Sequence, residues 1–352
     1  MNAKDITLKQ QTVLHGAGIR HRLGDIVADM GARRALVLST PRQSGAAMDL
    51  AERLGSRAAG VYSGAVMHTP RAVTDEALEH LRAVRSDCLV ALGGGSTIGL
   101  SKALSLRTGL PQVVIPTTYA GSEATPILGQ TENGVKTTLK DPAVLPQTVL
   151  YDPELVASLP ATLSVTSGLN AMAHAVEALY APDRTEATTR QALAGLRAFI
   201  AAMPRILDNP KDLDAREESQ RAAYACGAVL GATSMALHHK LCHTLGGAFD
   251  LPHAETHAII LPHAVDYNAS AAPALLAPLS DILGEGAPGP ALWRFAKTLN
   301  APRALRDLGV REDQLDRAAE LAVARPYPNP REITRAGIRA LLQKAWSGEA
   351  PV

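Results

Sequence analysis

Short, unbroken apolar runs alternate with helix-period stretches through the first half of the chain. RALVLSTPR (34–42), AAGVYSG (58–64), DCLVALGGGS (87–96), PQVVIPTTYAGSE (111–123) and TVLYDP (148–153) read as strands. Continuous apolar character marks strands buried on both faces, the pattern of a parallel sheet. AAMDLAERL and EALEHLRAV, lying between them, predict helices that cover such a sheet. Ahead of these, ITLKQQTVLHG (6–16) alternates like a strand, and Gly16-Ala-Gly18 turns it into the helical IRHRLGDIVADMG, closed by Gly31. ILGQTENGVKTTL (127–139) predicts a hairpin turning at Asn133-Gly134. From about Pro160 the text becomes Ala/Leu-rich and helical to its end. The expected architecture is an α/β N-terminal domain, residues 1–158, followed by an all-α C-terminal domain, residues 159–352. Their boundary falls in SLPATLS, and a ligand cleft is expected between the halves.

Composition narrows the function by exclusion. A formal charge of +1 and 3% aromatics leave neither a basic surface nor stacking platforms for nucleic acid. No window is long and apolar enough for a membrane span, and MNAKDITLKQ lacks the apolar segment of a signal peptide, so a cytoplasmic location is expected. Cys88, Cys226 and Cys242 show no CxxC spacing and fit free thiols in a reducing compartment.

Two stretches carry chemistry. HHKLCHTLGGAFDLPHAETHAIILPH (238–263) holds six of the eleven histidines. His239 and His243 stand at i, i+4, so a helix there presents both from one face. Gly246-Gly247 is expected to break that helix, and Asp250-Leu-Pro-His253 to return a third imidazole to the same place. Converging imidazoles suit a metal or an acid–base site. His238, His257 and His263 are expected on other helix faces as structural residues, and Cys242 as a small buried hydrophobe. The second stretch, LVALGGGSTIGLSKAL (89–104), is a strand, a triple-glycine turn and a helix start, which lets phosphate approach unpaired helix N–H groups. PTTYAGSE (116–123) follows another strand with hydroxyls, and the two loops together favour a nucleotide or dinucleotide.

GGGSTIGLSK, IPTTYAGSE, SGLNAMAHAVEALY (167–180) and the spacing of His239, His243 and His253 together resemble the iron-containing alcohol dehydrogenase family over nearly the whole chain. The resemblance implies the dehydroquinate synthase-like fold of that family: a dinucleotide-binding domain, a helical catalytic domain and a divalent metal held by one Asp and three His. The corresponding slots here are Asn170, His174, His239 and His253, with His243 matching a histidine that faces the nicotinamide. It further implies cofactor contacts at Thr40, Gly94, Gly95, Ser96, Thr117, Thr118, Thr125 and Lys136. Three positions depart from the family pattern: Asn170 for the ligand aspartate, Gly99 for an Asp after the glycine turn, and Thr40 where an acid often meets the adenosine ribose. A neutral amide at 170 removes the anionic ligand that offsets a dication.

These departures, with TPILGQTENGVKTT (125–138) and RPYPNPR (325–331), resemble the maleylacetate reductases, a branch of the family regarded as metal-independent. The implied activity is NADH- or NADPH-dependent reduction of the carbon–carbon double bond of maleylacetate to 3-oxoadipate in aromatic-compound degradation, by a homodimer. The expected catalytic group is His243 with His253, His239, His174 and Asn170. A dicarboxylate substrate calls for cations, and Tyr119, Lys136, Arg325 and Arg331 are the candidate contacts. The alternative is a metal-dependent alcohol dehydrogenase that keeps Asn170 as a ligand. Two further readings are weaker: a dehydroquinate synthase, which needs an acidic ligand, and a non-catalytic sensor, which need not keep converging imidazoles.

Overall fold

The apolar runs become the inner strands of a parallel sheet in the computed structural model, which describes residues 11–132, 135–284 and 286–352. The chain divides into two units, Met1–Leu159 and Pro160–Val352. The first contains, in order, β1 (Thr12–His15), α1 (Leu23–Asp29), β2 (Ala35–Leu38), α2 (Ser44–Leu54), β3 (Ala58–Tyr62), α3 (Arg71–Ala83), β4 (Cys88–Gly93) and α4 (Gly95–Thr108). It continues with β5 (Gln112–Pro116), β6 (Ile127–Glu132), β7 (Val135–Lys140), β8 (Thr148–Tyr151) and the short α5 (Pro153–Val156).

Six strands form one sheet in the order β1-β8-β5-β4-β2-β3, and every pair is parallel. All residues of β2, β4, β5 and β8 are buried, whereas the edge strands β1 and β3 are partly open. Alternation sends Ala35 and Val37 to the side of Leu23, Val27 and Leu50, and Leu36 and Leu38 to the side of Leu81, Leu100 and Leu104. Both faces of the sheet are therefore covered by helices. The winding reverses at β2, which has β3 on one side and β4 on the other. In open α/β sheets such a switch point, at the carboxyl ends of the strands, is where ligands bind. β6 and β7 pair antiparallel, Ile127 opposite Lys140, while the expected turn at Asn133-Gly134 lies outside the described residues.

The second unit is helical among the described residues: α6 (Ala161–Tyr180), α7 (Glu186–Asp208), α8 (Leu213–Ala232), α9 (Leu237–Phe249) and α10 (His253–Ala269) precede α11 (Pro273–Leu283), α12 (Pro288–Thr298), α13 (Leu315–Val323) and α14 (Arg335–Ser347). From Ser164 to Tyr180 every residue of α6 is buried, so it is a core helix rather than an amphipathic surface one. Leu237, Leu241 and Leu245 of α9 pack with Ile259 and Ile260 of α10 and with Leu342 of α14.

Gly246 and Gly247 do not end α9, contrary to expectation. The helix runs on to Phe249 and stops where Asp250 takes a left-handed conformation, φ 53°, its N–H bonded to the Gly246 carbonyl. Each interior glycine costs about 1 kcal/mol relative to Ala. Enclosing Leu245 and packing Phe249 against the same cluster offsets that cost. No helix among the described residues is long and apolar enough to cross a membrane.

Candidate active site

Three loops of the first unit meet beside the switch point. β4 ends at Gly93, φ 156°, and α4 starts at Gly95 with Gly94 at its N-cap and no side chain capping it. A Cβ on Gly94 would come within 2.8 Å of the Thr118 side chain, and beside Gly95 there is open space. The helix thus offers uncapped N–H groups behind a surface that only glycine allows a phosphate to approach. Thr117 N–H donates to the Gly93 carbonyl at 3.1 Å, tying the loop after β5 to the glycine turn. Gln43 extends the tie: its Nε2 donates to Thr117 Oγ1 at 2.8 Å, and its Oε1 lies 3.4 Å from Thr40 Oγ1. Thr40, Ser96 and Thr118 stay half-buried beside this cradle, whose residues fit the pyrophosphate of a dinucleotide.

Thr125 plays a different part from the other threonines. Buried Lys102 donates to its Oγ1 at 3.0 Å and to the carbonyls of Ser122, Thr125 and Ile127 at 2.5, 2.8 and 2.8 Å. This lysine staples the loop after β5 to α4. Tyr119 is fully buried and presents no surface to a ligand. Lys136 belongs to β7, and its side chain lies outside the described residues.

In the second unit, α6 presents Asn170, His174 and Glu177 at i, i+4 and i+7, one polar stripe along a buried helix. α9 supplies His238, His239 and His243, and α10 supplies His253 and His257. Ring centroids of His174 and His239 are 5.1 Å apart, those of His239 and His243 6.1 Å, and those of His253 and His257 4.3 Å. The imidazoles expected to converge do so. His238 and His257, expected elsewhere, lie in the same group, with their rings 4.8 Å apart and 5.1 and 5.2 Å from His239. His263 does not join the group; it is buried, and burial pushes its pKa down to about 4.

Glu177, which the sequence did not single out, organises the cluster. Its fully buried carboxylate accepts from the backbone N–H groups of Ala236 (2.8 Å) and His238 (2.7 Å), the uncapped start of α9, and from His239 Nδ1 (2.7 Å). A carboxylate only accepts, so Nδ1 of His239 carries the proton and Nε2 is its open atom. That nitrogen, with Asn170 Oδ1 and His174 Nδ1, is buried without a hydrogen-bond partner among the described residues. Burial, reinforced by the neighbouring imidazoles, lowers the pKa values of His174, His238 and His257 well below the usual range, so those rings are neutral. His243 is the exposed ring of the group and His253 is half-buried.

The donor set differs in charge from the family's metal site. Asn170, His174, His239 and His253 are an amide and three imidazoles, so the anionic ligand that would offset a dication is missing. The nearby carboxylate, Glu177, is already spent on two backbone N–H groups, His239 and, at 3.4 Å, the Tyr180 hydroxyl. Among the described residues, the group of three ligand-type side chains whose donor atoms gather within 4.8 Å is a different one, His238, Cys242 and His257.

The 325–331 loop is anchored to α10. Asn329 and Asn268 exchange reciprocal amide bonds at 2.7 and 3.0 Å, and the Arg331 guanidinium sits 4.3 Å over the Tyr267 ring. Arg325, Tyr327 and Arg331 line one recess of about 300 Å³. The buried hydroxyl of Tyr327 has no hydrogen-bond partner among the described residues, and burial, with Tyr267 and Glu177 nearby, pushes its pKa up. Both arginines proposed from sequence therefore share a wall.

Residues 10–153 match the family model described as iron-containing alcohol dehydrogenase, and residues 164–346 match that of the Fe-containing alcohol dehydrogenase family, C-terminal. The chain is 56% identical to a maleylacetate reductase of Rhizobium sp. (strain MTP-10005), covering 96% of each, and 52% identical to one of Sphingobium indicum, covering 97% of this chain and 96% of that one. The crystal structure of maleylacetate reductase from Agrobacterium tumefaciens superposes with a TM-score of 0.96 at 55% identity, each chain covered in full.

Proposed function

The chain belongs to the iron-containing alcohol dehydrogenase family, and we propose that within it the chain works as a maleylacetate reductase, reducing the carbon–carbon double bond of maleylacetate to 3-oxoadipate with NAD(P)H. The observation that carries this reading is the neutral donor set around Asn170, whose nearby carboxylate is taken up by His239 Nδ1 and the start of α9. Reducing an aldehyde places charge on the oxygen of the carbon that receives hydride, where a Lewis acid helps most. In an enone the charge appears on the ketone oxygen as an enolate, apart from the carbon that accepts hydride, and hydrogen-bond donors can meet it.

NAD(P)H, when bound, supplies a hydride to the alkene carbon β to the ketone. The glycine cradle and Thr117, Thr118 and Ser96 would hold its phosphates, and Gln43 keeps the flanking loops in register. His243 donates to the enolate oxygen. His239 holds the proton that is delivered to the α carbon, since Glu177 fixes its Nδ1–H and supplies the counter-charge whenever Nε2 is protonated. His253, His174 and Asn170 orient the substrate through their remaining polar atoms. Hydride plus this proton saturates the bond and leaves NAD(P)+. Arg325 and Arg331 receive a substrate carboxylate in their common recess.

The same donor chemistry supports a metal-independent reaction. Thr40 leaves no carboxylate at the ribose position to exclude the 2′-phosphate of NADPH, so the cofactor is NADH or NADPH. We assign the enzyme to aromatic-compound degradation as a cytoplasmic homodimer. The test is a reduction of maleylacetate with 4-deuterated NADH. Deuterium at the carbon β to the ketone, with a solvent proton at the α carbon, is the expected product; deuterium on a carbinol carbon overturns the reading in favour of an alcohol dehydrogenase.

A further inference from the structure

We propose that His257, backed by His238, is a positioning residue that holds His239 and His253 in place, doing by a hydrogen bond and ring packing what a cation does where four ligands converge on one. The inference rests on the reading of the site as a metal-free reductase and assigns it two residues beyond the family's ligand slots.

His257 is the hub of the imidazole group. It is fully buried, and its ring lies 4.3 Å from that of His253, 4.8 Å from His238 and 5.2 Å from His239. It follows His253 by four residues on α10, so the two rings lie on one face, in contact and tilted by 54°. Across the helix pair, His257 Nδ1 and His238 Nε2 are joined by a hydrogen bond of 2.9 Å, and Cys242 Sγ lies 3.7 Å from the same His238 nitrogen. The His238 backbone is itself held, because its N–H donates to Glu177, the carboxylate that also holds the His239 ring. A closed circuit results: Glu177 fixes His238 and His239, His238 fixes His257, and His257 packs on His239 and His253.

The same three donors do not suit a metal as they stand. Two nitrogens on a tetrahedral zinc lie about 3.3 Å apart, given bonds of about 2.0 to 2.1 Å. A separation of 2.9 Å is that of a hydrogen bond. Burial also pushes the Cys242 thiol pKa well up, keeping it protonated.

His257→Phe keeps the ring and its packing but removes the hydrogen bond, while His257→Asn keeps a polar group near the Nδ1 position. With maleylacetate and NADH, His257→Phe is expected to lower kcat by about 10- to 100-fold, the range typical of residues that orient active groups. KM for NADH stays unchanged, and His257→Asn recovers most of the loss. Imidazole ¹⁵N spectra of the full chain labelled at histidine are expected to show the His239 and His253 signals displaced in His257→Phe. A wild-type kcat in folded His257→Phe with unmoved His239 and His253 signals overturns the proposal, as does a loss that merely follows the folded fraction. If His257→Phe does not fold, His238→Gln against His238→Leu makes the same comparison from the other side of the hydrogen bond. Wild-type protein inert toward maleylacetate would instead refute the reductase reading, and the spectra would still report on positioning.

Discussion

Replacing Glu177 with glutamine probes the catalytic group at its most consequential point. The carboxylate is fully buried and accepts three short hydrogen bonds of 2.7 to 2.8 Å, two from the start of α9 and one from His239 Nδ1, besides a longer one of 3.4 Å from the Tyr180 hydroxyl. Hydrogen bonds to charged groups are worth about 1.5–3 kcal/mol each. Alanine would orphan the three closest donors together with the Tyr180 hydroxyl, at a cost on the order of the whole stability of an ordinary domain. Glutamine has the same shape but only one accepting oxygen, so its amide N–H₂ faces one or two of those donors. The expected cost is about 2–4 kcal/mol, or a fall in Tm of roughly 5–15 °C for a domain of this size. Catalysis should suffer more than stability. The amide supplies no counter-charge for a protonated His239 and no longer enforces its Nδ1–H form, which removes a general acid worth about 10²- to 10⁴-fold. Calorimetry with single-turnover kinetics at saturating NADH and maleylacetate separates the two effects. A folded glutamine variant with kcat within a factor of three of wild type would refute the assignment of His239 and Glu177.

Other consequences are independent of that pair. His243→Ala is expected to leave NADH affinity unchanged and to reduce kcat by about 100-fold; fluorescence titration and steady-state kinetics measure the two. Lys102→Met strips the donor from three carbonyls and a hydroxyl, so we expect a loss of about 3–5 kcal/mol in denaturant unfolding and weaker NADH binding as the loop after β5 loosens. The folded pKa of His263 is about 4, against an ordinary 6.5. Between these values the unfolded chain binds a proton that the folded chain does not, so stability falls as pH drops from about 6.5 to about 4. The His263 contribution amounts to about 3 kcal/mol over that window, and His263→Leu should flatten it in urea melts at pH 7 and pH 5.

The strands of the first unit were legible because both faces of that sheet are covered, which forces continuous apolar runs such as CLVALG and QVVIP. The glycine turn was legible for a related reason: a Cβ on Gly93 or Gly94 would run into the Thr97 or Thr118 side chain. Asn170 and His174 could be paired from their helical spacing alone. Glu177 could not, since an acid in an Ala-rich helix normally marks a solvated face, and only the packing around α6 reveals that no face is solvated. The one available cue was its place at i+3 from His174. His257 was misplaced for a similar reason, because spacing fixes a residue on its own helix but not which neighbouring helix that face meets. Gln43 and Lys102 join loops that only the parallel strand order brings together. At Gly246-Gly247, local propensity pointed to a break and burial of the flanking Leu245 and Phe249 prevailed.

The account stands most directly on one assay: maleylacetate-dependent NADH oxidation by protein whose metal content has been measured, run with and without a strong chelator. Full turnover in protein lacking stoichiometric iron or zinc, unaffected by the chelator, is the predicted result. Activity that follows metal content, disappears on chelation and returns with added Fe2+ or Zn2+ would contradict it and return Asn170 to the ligand set of a metal enzyme.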